Sequence, residues 1–292
     1  MAINGTTPKV EYDLNFTDNV VNSIGKDADP RLKEIVSALI RYSHNFMREV
    51  NLTTEEFMAG LKFISQAGQM TNEKRNEVLL LTDVLGLESL ADEITYKTAA
   101  AEHKDATSSA ILGPFWRPDT PIREFGSTIV FDTPSDGHIA YMSGVVRDVK
   151  TAKPIRNALV DVWEASTNGL YEQQDPDQRE HNLRGKFLTN DRGEYAFYCL
   201  RPTPYPVPND GPAGKLLELL HKHPYRPAHI HFMVTAEGYL PITTQVFDSA
   251  TEYLADDSVF AAKHDLVVAF VQRNGDPKAS LEVEYNIALA PA

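Results

Sequence analysis

The sequence predicts an α+β protein: a helical N-terminal region followed by an antiparallel β-sandwich. Three observations carry that expectation. Apolar residues recur at three-four spacing through the first hundred positions. Past about residue 105 the pattern shifts to short runs rich in Val, Tyr and Phe, bounded by turn residues. No helical crossover pattern separates those runs, which points to a sandwich or barrel rather than a parallel sheet.

The helices are marked by their ends. Asp29-Pro30 supplies an N-cap and a favoured first helical residue. Leu32, Ile35, Val36, Leu39, Ile40, Phe46, Met47 and Val50 then fall on one stripe. Thr53 and Glu56 form a capping box that opens a second helix, which Gly68 is expected to close. A third helix is expected through Val78, Leu79, Leu81, Thr82 and Leu85 to Gly86. Such amphipathic helices need a partner for their apolar faces: the rest of the chain, a second subunit or a lipid. Strands are expected over 138–147, 158–165 and 194–200, with Asn190-Asp191-Arg192-Gly193 as a hairpin turn. Prolines crowd 202–212 as a long loop, and Leu216, Leu217, Leu219 and Leu220 suggest a short helix beside it. The division that follows is a helical region over 1–104 and a β domain over 105–292.

Composition narrows the function. The formal charge of −13 over 292 residues argues against a nucleic-acid partner, because phosphate binding needs clustered Lys and Arg. Cys199 is the single cysteine, so no intramolecular disulfide or thiolate metal cluster is available. The opening MAINGTTPKV lacks a signal-peptide pattern, and no apolar run reaches membrane-spanning length. The expected location is the cytoplasm.

The sharpest chemical feature is Arg226-Pro227-Ala228-His229-Ile230-His231-Phe232. In a strand, residues two apart point to one face, so His229 and His231 can reach one metal. Taken alone, the pair also reads as two partly buried histidines or a chance pair on an exposed strand, and imidazole does not choose between zinc, copper, nickel and iron. His221 and His223 lie too close to the pair for an easy cage. Glu237 falls too late for a cupin pattern, and only His264 follows for an amidohydrolase. Tyr171, just after a strand, and Tyr205, between Pro204 and Pro206, stand out as further donors. Read singly, each is better explained as a packing aromatic. A hard trivalent cation would nonetheless draw out the phenolate.

Several ordered motifs together resemble the intradiol ring-cleavage dioxygenases, the catechol and hydroxyquinol 1,2-dioxygenase family. They are LGPFWRPDTP (112–121), NALVDVWEASTNGLYEQQDP (157–176), NLRGKFLTNDRGEYAF (182–197), PTPYPVPNDGPAGKLL (202–217), RPAHIHF (226–232) and ITTQVFD (242–248). The resemblance implies non-haem Fe(III) held by Tyr171, Tyr205, His229 and His231. It implies Arg226 and Gln245 beside the substrate, with Tyr205 as the ligand that leaves and takes a proton. The implied reaction joins both atoms of O2 to a small aromatic diol or triol, giving a cis,cis-muconate-type product (maleylacetate from hydroxyquinol). The pocket is expected from Leu80, Asp83, Ile111, Gly113, Pro114, Phe115 and Arg226. Asp83, in the otherwise apolar LLLTDVLGL, resembles the hydroxyquinol-cleaving members and favours that substrate over catechol; capping a helix end is the other reading. The family likeness also implies a homodimer through the N-terminal helices, with a lipid between them. Two competing readings remain. The stretch from Ser143 to Val160 also resembles transthyretin-like and carboxypeptidase-regulatory-like binding sandwiches, and the paired histidines alone would suit a zinc hydrolase.

Overall fold

The structure, a computed structural model, describes residue 13, residues 15–103 and residues 105–292, with only the backbone described over 97–102. The opening MAINGTTPKV lies outside the described residues. The chain forms two compact units divided after Phe63.

The first unit holds α1 (Phe16–Asn22), α2 (Pro30–Glu49) and the start of α3 (Thr54–Met70). The expected caps are in place. The Asp29 carboxylate accepts from the Leu32 amide at 2.8 Å. Thr53 and Glu56 exchange bonds, with Thr53 N–H to Glu56 at 2.9 Å and Glu56 N–H to Thr53 Oγ1 at 3.2 Å. Helix α1 is pinned to α2 by Arg41–Asp18 at 2.7 Å and by Phe16 stacked on His44. No residue of α2 is buried: Leu32, Leu39, Tyr42 and Phe46 are all more than half exposed. Helix α3 runs past Gly68 to Met70.

In the second unit Asn76 caps α4 (Glu77–Val84) through the Leu79 amide at 3.0 Å. Gly86, at φ +71°, then turns the chain into α5 (Leu87–Glu102), a helix the sequence reading did not foresee. Gly86 looks like a stop, but the chain reverses there and restarts at once. Among the described residues no helix is long and apolar enough to cross a membrane.

The β domain contains β1 (Ile139–Asp148), β2 (Leu159–Trp163), β3 (Arg184–Leu188), β4 (Glu194–Leu200), β5 (Tyr205–Pro206), α6 (Pro212–Leu219), β6 (Tyr225–Arg226), β7 (His229–Thr235) and β8 (Ile242–Asp248). It ends with β9 (Val267–Val268), β10 (Val271–Gln272), β11 (Leu281–Glu284) and β12 (Ile287–Leu289). One sheet runs β10-β11-β1-β12, with β4 also on β1; the other runs β3-β2-β7-β8-β9; β5 and β6 form a separate ribbon. The two sheets share one core, where Phe187 of β3 stacks on Phe197 of β4 and Phe232 of β7 meets both Tyr195 and Phe197.

The sheets are mixed, which corrects the purely antiparallel expectation. β1 pairs antiparallel with β4 but parallel with β11 and β12, and β8 pairs parallel with β9. The late strands return after long excursions, so their direction is free of the hairpin constraint that forces antiparallel neighbours. Where β11 gives way to β12, the Tyr285 carbonyl presses on β1 at Gly144, accepting from the Tyr195 hydroxyl at 2.5 Å; no Cβ would fit there. The 190–193 turn forms, with Gly193 N–H to Asn190 O at 2.9 Å and Gly193 at φ +71°. It joins β3 and β4, which lie in different sheets, so it carries the chain between layers and does not close a hairpin.

Candidate active site

Strand β7 is central in its sheet, between β2 and β8, and its alternation turns His229 and His231 to one face. Trp163, His231 and Gln245 stand in one register row, and the Trp163 ring stacks on His231 at 4.8 Å and 11°. Tyr171 comes from the loop after β2. Tyr205 comes from β5, directly opposite Arg226 on β6.

These four side chains meet at one buried point. Tyr171 Oη lies 3.0 Å from Tyr205 Oη, Tyr205 Oη 3.2 Å from His229 Nε2, and His229 Nε2 3.2 Å from His231 Nε2. None of the four is more than 5% exposed. The contact from His229 Nδ1 to the Pro227 carbonyl, 2.7 Å, assigns the ring proton to Nδ1 and leaves the Nε2 lone pair facing the others. Burial, followed by the Arg226 charge for His229 and by His229 itself for His231, pushes both imidazoles well below their ordinary range. Burial raises both phenols. Two lone-pair nitrogens and two phenols, unbalanced by any carboxylate among them, therefore crowd into low dielectric. That is a donor set suited to a cation, because a bound positive charge would favour the phenolates that burial alone opposes.

Close approach is made by glycine. Gly169, at φ +79°, would place a Cβ 2.7 Å from Tyr205 Cβ, and Gly113, at φ +73°, one 3.2 Å from His231 Cε1. Behind Tyr171, the fully buried Arg184 sits 5.7 Å above its ring and bonds Glu172 at 2.5 Å. Arg117 bonds the other oxygen of Glu172 at 2.8 Å.

A positive group borders the cluster. Arg226 Nη1 is 2.8 Å from His229 Nε2, Nη2 donates to Gln245 Oε1 at 2.8 Å, and Nε donates to Asp257 at 3.2 Å. Burial works against this guanidinium, but the charge of Asp257 and the tyrosine oxygens more than offset it, so it stays protonated. Gln245 is held from behind by its amide bond to the Ile111 carbonyl at 2.8 Å. Gln245 thus touches Arg226 and does not line the cavity.

Leu80, Asp83, Ile111, Gly113, Pro114, Phe115 and Arg226 all line a cavity of about 10 Å³, together with Tyr205, His231, Val207, Pro208 and Val259. That is room for about one water, so a ring enters only with side-chain movement. A larger cleft of about 480 Å³ lies across the wall made by Phe115, Tyr205, Val207 and Pro208. Sequence reasoning missed Asp257 and Glu88, which lie outside the quoted motifs, and gave no role to Trp163, which lies within the 157–176 motif. Asp119, Glu180 and His181 also cluster, but at the surface, where Arg117 already bonds both carboxylates. His223 is away from the site, paired with Asp256 at 2.7 Å.

Comparison with known proteins agrees with this geometry. The family profile described as "Dioxygenase" matches residues 111–291, and "Catechol dioxygenase N terminus" matches 29–103. The chain is 48% identical to the intradiol ring-cleavage dioxygenase prcA of Aspergillus niger, covering 96% of this chain and 89% of the relative. It is 42% identical to the catechol 1,2-dioxygenase of Candida albicans, covering 94% and 91%. The solved hydroxyquinol 1,2-dioxygenase of Pseudomonas putida DLL-E4 superposes with a TM-score of 0.82 at 34% identity, covering 95% and 98%. Two profiles that together span most of the chain and relatives matched almost end to end leave one assignment, which the binding-sandwich and zinc-hydrolase readings do not meet: the chain belongs to the intradiol ring-cleavage dioxygenases.

Proposed function

We propose that Tyr171, Tyr205, His229 and His231 hold one ferric ion, and that the substrate is a catechol-type ring, hydroxyquinol in preference to catechol. The observation that carries this is the convergence of two phenol oxygens and two imidazole nitrogens, each 3.0 to 3.2 Å from the next, beside a buried Arg226. When bound, the ion supplies Lewis acidity and electron transfer between the ring and O2. Tyr205 takes a substrate proton on its phenol oxygen as it gives way to the incoming ring oxygen. Tyr171, packed under Phe115 at 4.8 Å, stays in place. Arg226 faces the negative charge that grows on the ring oxygens, a donor fixed before reaction by Asp257 and Gln245. Phe115, Val207 and Pro208 stand between the cavity and the wider cleft. Both oxygen atoms end on the two formerly hydroxylated carbons, whose mutual bond is broken, giving the muconate-type diacid.

Hydroxyquinol is favoured by Asp83, a buried carboxyl on the cavity wall able to bond a third ring hydroxyl. Relatives named hydroxyquinol 1,2-dioxygenase include that of Nocardioides simplex, 39% identical over 97% of this chain. Residues 1–104 are proposed as a linker and dimerisation region and 105–292 as the catalytic domain. The open apolar stripe of α2 supports a second copy, with a lipid between the helices, and the cytoplasm is the proposed compartment. The deciding experiment is a visible spectrum with metal analysis, before and after anaerobic hydroxyquinol or catechol. A broad tyrosinate-to-iron band that shifts with substrate is expected. A protein that stays colourless when ferric iron is supplied refutes the ligand set.

A further inference from the structure

At the roof of the cavity two carboxyls face each other. Asp83 lies in the last turn of α4 and Glu88 in the first turn of α5, and the Gly86 turn at φ +71° folds one towards the other. Asp83 is 1% exposed, and Glu88 is the acidic neighbour that acts on its carboxyl. Its Oδ1 and the Glu88 Oε2 are both buried without a hydrogen-bond partner. No side-chain hydrogen bond ties Asp83 to any other group among the described residues. Glu88 is anchored elsewhere: its Oε1 accepts the Leu112 amide at 2.8 Å, at the start of the segment that lines the cavity.

We propose that Glu88 is a positioning residue for substrate choice, clamping Asp83 against the Leu112 segment so that one Asp83 oxygen stays turned to the third ring hydroxyl. The proposal rests on the reading that Asp83 contacts that hydroxyl. Burial, ahead of Glu88 itself, raises the Asp83 carboxyl well above the usual carboxylate range; the Arg226 charge opposes this and Asp257 adds to it. The proton goes from Asp83 to Glu88 as a hydrogen bond, and the remaining Asp83 oxygen accepts from the ring hydroxyl. Without Glu88 the Asp83 side chain is free to rotate, and it loses its aim.

The test is the ratio of kcat/KM for hydroxyquinol to that for catechol in iron-loaded protein. Asp83→Ala and Glu88→Ala are each expected to lower the ratio about three- to tenfold, the worth of one hydrogen bond. Glu88→Gln, which still accepts from Leu112 and bonds Asp83, should hold the ratio within about twofold of the parent. Should Glu88→Ala fail to fold, Glu88→Asp is read instead; its shorter arm cannot span both contacts, and the ratio should fall. A purely structural Glu88 would slow both substrates alike, so an unchanged ratio in the Glu88 variants, beside a lowered one in Asp83→Ala, overturns the proposal. A ratio unmoved by Asp83→Ala overturns the Asp83 reading itself, and the role of Glu88 with it.

Discussion

Asp257→Ala removes the carboxylate that balances Arg226 in the interior. Both side chains are at most 4% exposed, and Asp257 meets Arg226 at Nε (3.2 Å) and Nη2 (3.3 Å). Breaking one half of such a buried pair costs roughly 3–5 kcal/mol, because the other charge is left without a partner. The same carboxylate also accepts the amides of Val259 at 3.3 Å and Ala261 at 3.0 Å, which places the cost in the upper part of that range. For a unit of this size about 4 kcal/mol corresponds to a melting shift on the order of 10 °C. The double variant Arg226→Met with Asp257→Ala leaves no charge at this pair and should recover the part of the loss that comes from the unpaired guanidinium, while the amides of Val259 and Ala261 stay without their acceptor. Thermal and urea unfolding of the two singles, the double and the parent complete the cycle. Activity separates the two roles: the double variant should be folded and iron-loaded yet inactive, since the donor facing the substrate is gone. A double variant no more stable than Asp257→Ala, or a single loss under about 1 kcal/mol, refutes the reasoning.

Three further outcomes are expected. Burial pushes the Asp161 carboxyl up to about 6, against bonds from Trp116 and the charge of Lys186. Its folded value is above the unfolded one, so the associated stability is present below about pH 4 and lost as pH rises through 6, about 3 kcal/mol in all; Asp161→Asn should flatten the change in melting temperature between pH 4.5 and 7. Gly169→Ala forces a Cβ against Tyr205 in a left-handed backbone, and should cost a few kcal/mol and shift or erase the visible band, as read by melting and spectrum. Leu39→Glu with Phe46→Glu on α2 should convert a dimer to a monomer by light scattering while activity per chain persists, since α2 contributes no residue to the cavity.

Local chemistry made much of the fold legible. The caps at Asp29 and at Thr53 with Glu56 announce α2 and α3 because each is completed within three residues. Beyond that reach the signal fades. The 190–193 turn carries the residues of a hairpin, yet the sheet each arm joins is decided by core partners far along the chain. The parallel pairing of β1 with β11 and β12 crosses well over a hundred residues and leaves no local mark. In the site, the alternation of His229 and His231 is visible in the strand pattern, whereas Tyr171 and Tyr205 were singled out by family likeness more than by periodicity. Asp257 and Glu88 were invisible for a plainer reason. Their partners, Arg226 and Leu112, lie 31 and 24 residues away, and neither Asp257 nor Glu88 carries a local pattern that points to so distant a contact.

The ribbon of β5 and β6 constrains how the cluster can change. Tyr205 sits opposite Arg226 on two short strands, flanked by Pro204 and Pro206 and backed by Gly169. Its main chain is tied to the same residue whose side chain borders the site. On the proposed ligand role, exchange of the Tyr205 oxygen for an incoming ligand would be a rotation of the side chain about a fixed Cα, not the opening of a loop. Such a rotation passes between staggered side-chain positions and disturbs no backbone pairing. On that reading the phenol would turn while the guanidinium beside it keeps the bonds to Asp257 and Gln245 that fix it.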